Sequence, residues 1–389
     1  MIQRLRYGLM LLFFYTQEVN AQFRVRIELA DIPAMPSTES VFVAGSFNGW
    51  NPRDSLFRIA VADTITYVEF PRPLQGSVSF KFTRGSWSNV ECNSDGSDVS
   101  DRQINLISDT VIRCSINGWK DRFEVIPKKH TASPRVNVLP GIFPEPWNRS
   151  LRIYLPNGYE HTKKKYPVLY MLDGQNLFDE FLAFKNEWGV DECLDTLAAN
   201  INQPCIVVGI DAGTGRINEY NPFDHPEYGT GKGAAFFQFL LKQVKPYIDR
   251  HYRTFKDPEH TLIAGSSLGG LMAYYGILAY PDVFGGAGVF SPSFWIAPEP
   301  LQQLTDSMGP YVKGKIFFYI GEREGTDGIK YVKDMQRISD QLATVSPAVI
   351  YSITDPAGEH NESFWSKWFP EFYRWIMGNG FSYQTGRPK

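Results

Sequence analysis

The chain has 389 residues, with 39 Lys and Arg against 42 Asp and Glu, and 43% of it is hydrophobic and 15% aromatic. At roughly 100–200 residues per domain this length suggests two domains, and the aromatic content excludes a disordered chain. A formal charge of −3 offers no basic excess for a nucleic acid, and no run of about 20 apolar residues exists to span a membrane.

Residues 1–21 read as an export signal. Arg4 and Arg6 form a basic start, Leu9–Tyr15 is a short apolar core, and Val19-Asn20-Ala21 ends in a small residue before Gln22. No Cys follows the core to carry a lipid. The mature protein is therefore expected in the periplasm or outside the cell. In such a compartment four Cys could form two disulfides, with Cys92 and Cys114 on segments that read as neighbouring strands and Cys193 and Cys205 further on. Their spacing gives no zinc pattern.

From Gln22 to about residue 125, short alternating segments separated by Gly, Pro, Asn and Ser predict an antiparallel, immunoglobulin-like β-sandwich. Its strands are expected at Phe23–Leu29, Val41–Ala44, Thr66–Phe70, Val78–Thr83 and Thr110–Ser115. Residues 126–134 are polar and aperiodic, and read as a linker. From Arg135 onward the pattern changes to apolar runs at Tyr166–Leu172, Cys205–Asp211, Leu262–Gly265, Lys315–Ile320 and Val349–Ile353. Helical patterns lie between and after them, at Ala234–Tyr252, Gly269–Ala279, Lys330–Ala343 and Glu362–Met377. Strands alternating with helices predict an α/β domain built on a mainly parallel sheet.

Between the apolar Thr261–Ala264 and the helical Leu271–Leu278 stands Gly265-Ser266-Ser267-Leu268-Gly269, a G-x-S-x-G sequence in the strand–turn–helix context that gives it chemical meaning. A sharp turn there would present the Ser267 hydroxyl at a helix N-terminus, where the helix dipole favours developing negative charge. A serine nucleophile needs a base. Of six histidines only His360, 93 residues after Ser267, follows the last predicted strand and precedes the final helix. The acid that orients it should follow the strand Lys315–Ile320, where Glu322, Glu324 and Asp327 compete.

Residues 135–378 resemble the esterase family of α/β-hydrolases that includes enterochelin esterases, the feruloyl and acetyl esterases of carbohydrate esterase family 1, esterase D and the mycolyltransferases. The resemblance rests on Arg152–Pro156, Tyr166–Phe178, Arg216 with Glu219-Tyr220, Tyr252-Arg253-Thr254, Gly265–Gly270, Ser291–Trp295 and Gly358–Asn361. It implies a Ser267–His360–Glu324 triad, with Asp327 left open because many relatives carry Asp at the place of Glu324. It also implies an oxyanion hole made by the backbone N–H groups of Leu268 and Gln175. Trp188, Arg216, Trp295 and Trp365 are candidate substrate contacts.

Residues 38–118 resemble family-48 carbohydrate-binding modules through Val41–Trp50 and Phe80–Trp87. That likeness implies sugar contacts by Trp50, Trp87 and Lys81, since flat aromatic faces suit pyranose rings. The glycosylation patterns at Asn148 and Asn361 favour a bacterial source, because a glycan on Asn361 would block His360. The combined expectation is an exported serine carboxylesterase acting on a carbohydrate-linked ester, with no metal and no cofactor. The rivals are a siderophore trilactone esterase, a serine peptidase and a non-catalytic glycan-binding protein.

Overall fold

The computed structural model describes residues 22–36, 39–59, 66–74, 76–99, 101–124, 128–197, 204–226, 228–325 and 328–378. The expected export signal lies outside the described residues. The chain divides into two compact units, Met1–Ile126 and Pro127–Lys389.

The first unit contains β1 (Val25–Asp31), β2 (Val41–Gly45), β3 (Arg58–Ile59), β4 (Thr66–Glu69), β5 (Gly76–Thr83), β6 (Glu91–Cys92), β7 (Arg102–Leu106), β8 (Thr110–Ser115) and β9 (Gly118–Trp119). Two sheets, ordered β4-β1-β8 and β3-β2-β5-β7, turn their alternating apolar residues into one core. Val25 and Ile27 come from the first sheet, and Val41, Val43, Phe80 and Phe82 from the second. A small β6-β9 pair completes the unit. The all-β class is the one expected, but the pairing is not wholly antiparallel, because β1 and β8 run parallel. These strands are 78 residues apart at their closest, so a long connection is available and no tight hairpin is forced. The disulfides that four cysteines could have formed are not made: all four are free. Cys92 and Cys114 lie on β6 and β8, which belong to different sheets rather than to neighbouring strands.

The second unit contains β10 (Val136–Leu139), β11 (Leu151–Tyr154), β12 (Val168–Leu172), α1 (Val190–Leu197), β13 (Ile206–Ile210) and α2 (Arg216–Glu219). It continues through α3 (Gly233–Phe239), α4 (Lys245–His251), β14 (Thr261–Ser266), α5 (Leu268–Ala279), β15 (Gly286–Phe290) and α6 (Pro298–Met308). It closes with β16 (Lys315–Gly321), α7 (Gly328–Val345), β17 (Val349–Asp355) and α8 (Glu362–Met377). The eight strands are ordered β10-β11-β13-β12-β14-β15-β16-β17, parallel from β13 to β17 and antiparallel only at β10 and β11.

Strand residues alternate between two cores, one on each face of this sheet. Val168, Tyr170 and Leu172 of β12 join α3, α4, α5 and α7 on one side. Leu169 and Met171 join α1 and α8 on the other. Both faces are covered, which explains the uninterrupted apolar runs. The predicted helix Ala234–Tyr252 is instead α3, a π-helical stretch at Leu240–Val244, and α4. Pro246 has no N–H and its ring crowds the preceding turn, and the wider turn accommodates it. Residues 128–134 are not a free linker: Lys128 Nζ donates to Ala183 O (2.9 Å), Thr131 Oγ1 to Glu187 (2.7 Å) and Ser133 N to Asp191 (2.6 Å).

Candidate active site

Parallel strands direct their C-terminal ends to one edge of the sheet, and the predicted chemistry collects there. Between β14 and α5 only Ser267 remains, with φ 58° and ψ −122°. An L-residue seldom adopts this conformation, so it is held by its surroundings. Ser267 N donates to Phe290 O at 3.0 Å, and Ser267 O accepts from Ser293 N at 3.1 Å. Gly265 is required because a Cβ there would stand 2.7 Å from the Gly269 backbone. Leu268 begins α5, so its N–H is one of the first four that have no partner inside the helix. The Ser267 hydroxyl lies 3.3 Å from that of the buried Ser293.

Glu324 follows β16 and is 4% exposed. Its Oε2 lies 2.9 Å from His360 Nδ1. Its Oε1 accepts from Gly321 N at 2.9 Å and from the Ser291 hydroxyl, and Ser291 in turn accepts from Trp365 Nε1 at 2.8 Å. Both carboxylate oxygens are thus occupied, which burial demands. A neutral His360 that donates through Nδ1 keeps its lone pair on Nε2, the form a general base needs. The ring is edge-on to Trp365 at 5.1 Å, and its side chain is 40% exposed. Of the competing acids, Glu322 is exposed, and Asp327 lies outside the described residues.

Ser267 and His360 line one cavity of about 640 Å³ together with Gln175, Arg216 and Trp365. Gln175 sits in the turn after β12, and its Oε1 accepts from Ala212 N at 2.9 Å. The Gly174 position beside it approaches β13 so closely that a Cβ would stand 2.7 Å from the Gly209 backbone. Arg216 is committed to Asp173 by two bonds, 2.6 and 2.7 Å. Burial opposes its charge, but the Asp173 carboxylate prevails and holds the guanidinium pKa above its usual value. Glu362 also lines the cavity; its carboxyl is pushed up mainly by burial, and its Oε1 accepts from Asn176 Nδ2 at 3.2 Å.

Two predicted contacts are placed elsewhere. Trp188 is 2% exposed and packs on Phe290 and Trp365 in the core beneath the cavity. An indole flanked by apolar strands and α8 gains more by burial than by facing a wet cavity. Trp295 is 39% exposed, on the turn after Ser293, and is not among the cavity residues. In their stead the cavity has Leu182, Phe184 and Lys185 from the segment after the Gln175 turn. Sequence reasoning missed these, although the apolar-rich Leu177–Phe184 stretch next to a predicted oxyanion donor was a signal. It also missed Ser291 and Ser293.

In the first unit Trp50 and Trp87 stand with ring centroids 6.2 Å apart, and Trp87 is 44% exposed. Lys81 is occupied, donating to Val99 O and lying 3.4 Å from Asp101.

A family model described as "Putative esterase" matches residues 145–376, more than half of the chain. The uncharacterised protein YbbA of Bacillus subtilis is 25% identical over 60% of this chain and 95% of its own. An endo-1,4-beta-xylanase/feruloyl esterase of Xylanibacter ruminicola is 27% identical over 46% of this chain, which spans only 24% of that relative's length. Among solved structures, the enterobactin esterase of Shigella flexneri has a TM-score of 0.52 at 17% identity, covering 88% of each chain. This chain has the α/β-hydrolase fold. With a family match across the sheet, the elbow and the His360 segment, the chain belongs to this esterase family and is a carboxylic ester hydrolase of the serine type.

Proposed function

We propose that the protein is an exported serine esterase that cleaves an aromatic-acid ester of a carbohydrate, with Ser267 as nucleophile, His360 as base and Glu324 as orienting acid. The observation that carries this reading is the 2.9 Å bond from Glu324 to His360 Nδ1, in a cavity shared with a serine held at positive φ. His360 takes the Ser267 proton as the hydroxyl attacks the ester carbonyl, and Glu324 stabilises the resulting imidazolium. The Leu268 and Gln175 N–H groups receive the oxyanion. His360 returns the proton to the leaving alcohol, and water then releases the acyl group by the same route.

The cavity supports an aromatic acyl group. Its volume falls within the range of roughly 300–1,000 Å³ usual for small-molecule sites, and Leu182, Phe184 and Trp365 supply apolar surface. Arg216 is neutralised by Asp173, and Lys185 is opposed by Glu362, which suits a neutral ester. A second reading, an anionic siderophore trilactone, is favoured by Lys185 and Arg216 standing at the cavity at all. Comparing kcat/KM for methyl ferulate, p-nitrophenyl acetate and a catecholate trilactone, with Ser267→Ala as control, decides between them. Preference for the trilactone would overturn the carbohydrate-ester reading, and turnover surviving Ser267→Ala would overturn the mechanism.

The proposal extends to export and to glycan binding. Export is tested by sequencing the N-terminus of secreted protein, expected at Gln22. Glycan binding by Trp50 and Trp87 is tested by titrating oligosaccharides into wild type and Trp87→Ala. Lys81 is expected to contribute little, because its ammonium is already bonded.

A further inference from the structure

Outside the cavity, the start of α1 and the residues before it gather three acids. Glu187, Asp191 and Glu192 each offer a carboxylate oxygen, and these oxygens lie within 4.8 Å of one another. Asp191 is 0% exposed, and while its Oδ2 accepts from Ser133 N at 2.6 Å, its Oδ1 has no hydrogen-bond partner. Glu187 repeats the pattern: Oε1 accepts from Thr131 Oγ1 at 2.7 Å, and the buried Oε2 has none. Among the described residues none of the three forms an ion pair. The adjacent Asp179 and Glu180 are compensated by His130 at 2.8 Å and Lys128 at 3.6 Å.

Native proteins rarely bury two orphaned carboxylate oxygens together, because each loses water and gains nothing in return. The arrangement lacks a positive charge at its centre. An all-oxygen set suits a hard cation, and Ca²⁺–O distances of about 2.3–2.6 Å let one ion touch oxygens up to about 5 Å apart. Mg²⁺, at about 2.0–2.1 Å, fits such a spread less well, and zinc is expected to bring His or Cys. Glu192 is exposed and provides the entry from solvent.

We propose that Glu187, Asp191 and Glu192 bind a calcium ion, with water filling the remaining positions. The ion would fasten three pieces of chain at one point: the segment carrying Thr131 and Ser133, the first turn of α1, and the foot of the 179–187 segment. That last segment carries Leu182, Phe184 and Lys185 into the cavity. The ion is a clamp on the cavity rim and takes no part in bond cleavage.

The test is titration of chelator-stripped, full-length protein with CaCl₂ alone, by calorimetry and by thermal melting, with MgCl₂ in parallel. One site with Kd at or below about 1 mM and a rise in Tm is expected, with Mg²⁺ at least about 10-fold weaker. Glu192→Gln, at an exposed position, should weaken Ca²⁺ at least about 10-fold while leaving the calcium-free Tm nearly unchanged. Asp191→Asn should abolish binding; should it fail to fold, the Glu192→Gln result stands by itself. No calcium heat and no Tm rise at about 10 mM would overturn the proposal. Equal responses to both ions, unaffected by Glu192→Gln, would also overturn it. A Tm that responds to acidification but not to calcium would replace the ion with a shared proton.

Discussion

The two units each bury a glutamate almost completely and close it in opposite ways. In the first unit Glu91, 2% exposed, accepts from Phe82 N at 2.9 Å and from Arg102 at 2.7–3.1 Å. In the second unit Glu324 accepts from a backbone N–H, a serine hydroxyl and His360. Arg102 is always charged, so the Glu91 pair is a static tie between β6 and β7. An imidazole can take up and release a proton where a guanidinium cannot, and the His360 side chain is 40% exposed. Burial of a carboxylate therefore does not distinguish scaffold from chemistry. The group that closes it does.

Five substitutions break or sharpen this contrast, the largest effect first. Ser267→Ala should lower kcat by about 10⁶-fold on p-nitrophenyl acetate, without loss of Tm. Glu324→Ala should cost about 10⁴-fold in kcat, through loss of the His360 tautomer and orientation. Glu91→Ala should instead leave kcat intact at low temperature and remove roughly 3–5 kcal/mol of first-unit stability in urea melts, because Arg102 is left without its partner. A comparable kcat loss in that variant would dissolve the contrast. Ser291→Ala touches neither substrate nor base, and should lower kcat by the equivalent of about 1.5–3 kcal/mol with KM nearly unchanged, through a loosened Glu324. The smallest effect is expected at Glu362, whose folded pKa lies above the ordinary 4.5. A raised carboxyl binds its proton more tightly in the native state, so its contribution declines as pH climbs from 4.5 through the folded value. Glu362→Gln should flatten the Tm–pH curve across that window.

Much of this was readable in the sequence, and the failures have physical causes. The strand–elbow–helix succession was legible because Gly265, Ser267 and Gly269 obey local sterics. Strand β15 was not, since Gly286 and Gly288 weaken its apolar pattern. Those glycines answer to distant residues: a Cβ would meet Leu262 at one and Phe372 at the other, both at 2.7 Å. The choice of Glu324 over Glu322 came from resemblance, because three nearby carboxylates look alike until the chain folds. Ser291 stood in a recognised segment without a role, for its bonds reach residues 33 and 74 positions away. Trp188 and Trp365 read alike in sequence, yet only Trp365 lines the cavity.

The backbone of Ser267 carries a last consequence. Holding an L-residue at φ 58° and ψ −122° costs on the order of 1–3 kcal/mol, and glycine alone would occupy that conformation with little penalty. The proposed nucleophile is thus the residue that opposes the fold at this turn. A chain bearing glycine there should be sturdier and inert, so robustness and turnover are antagonists at this position, and selection for thermal endurance alone would tend to discard the enzyme.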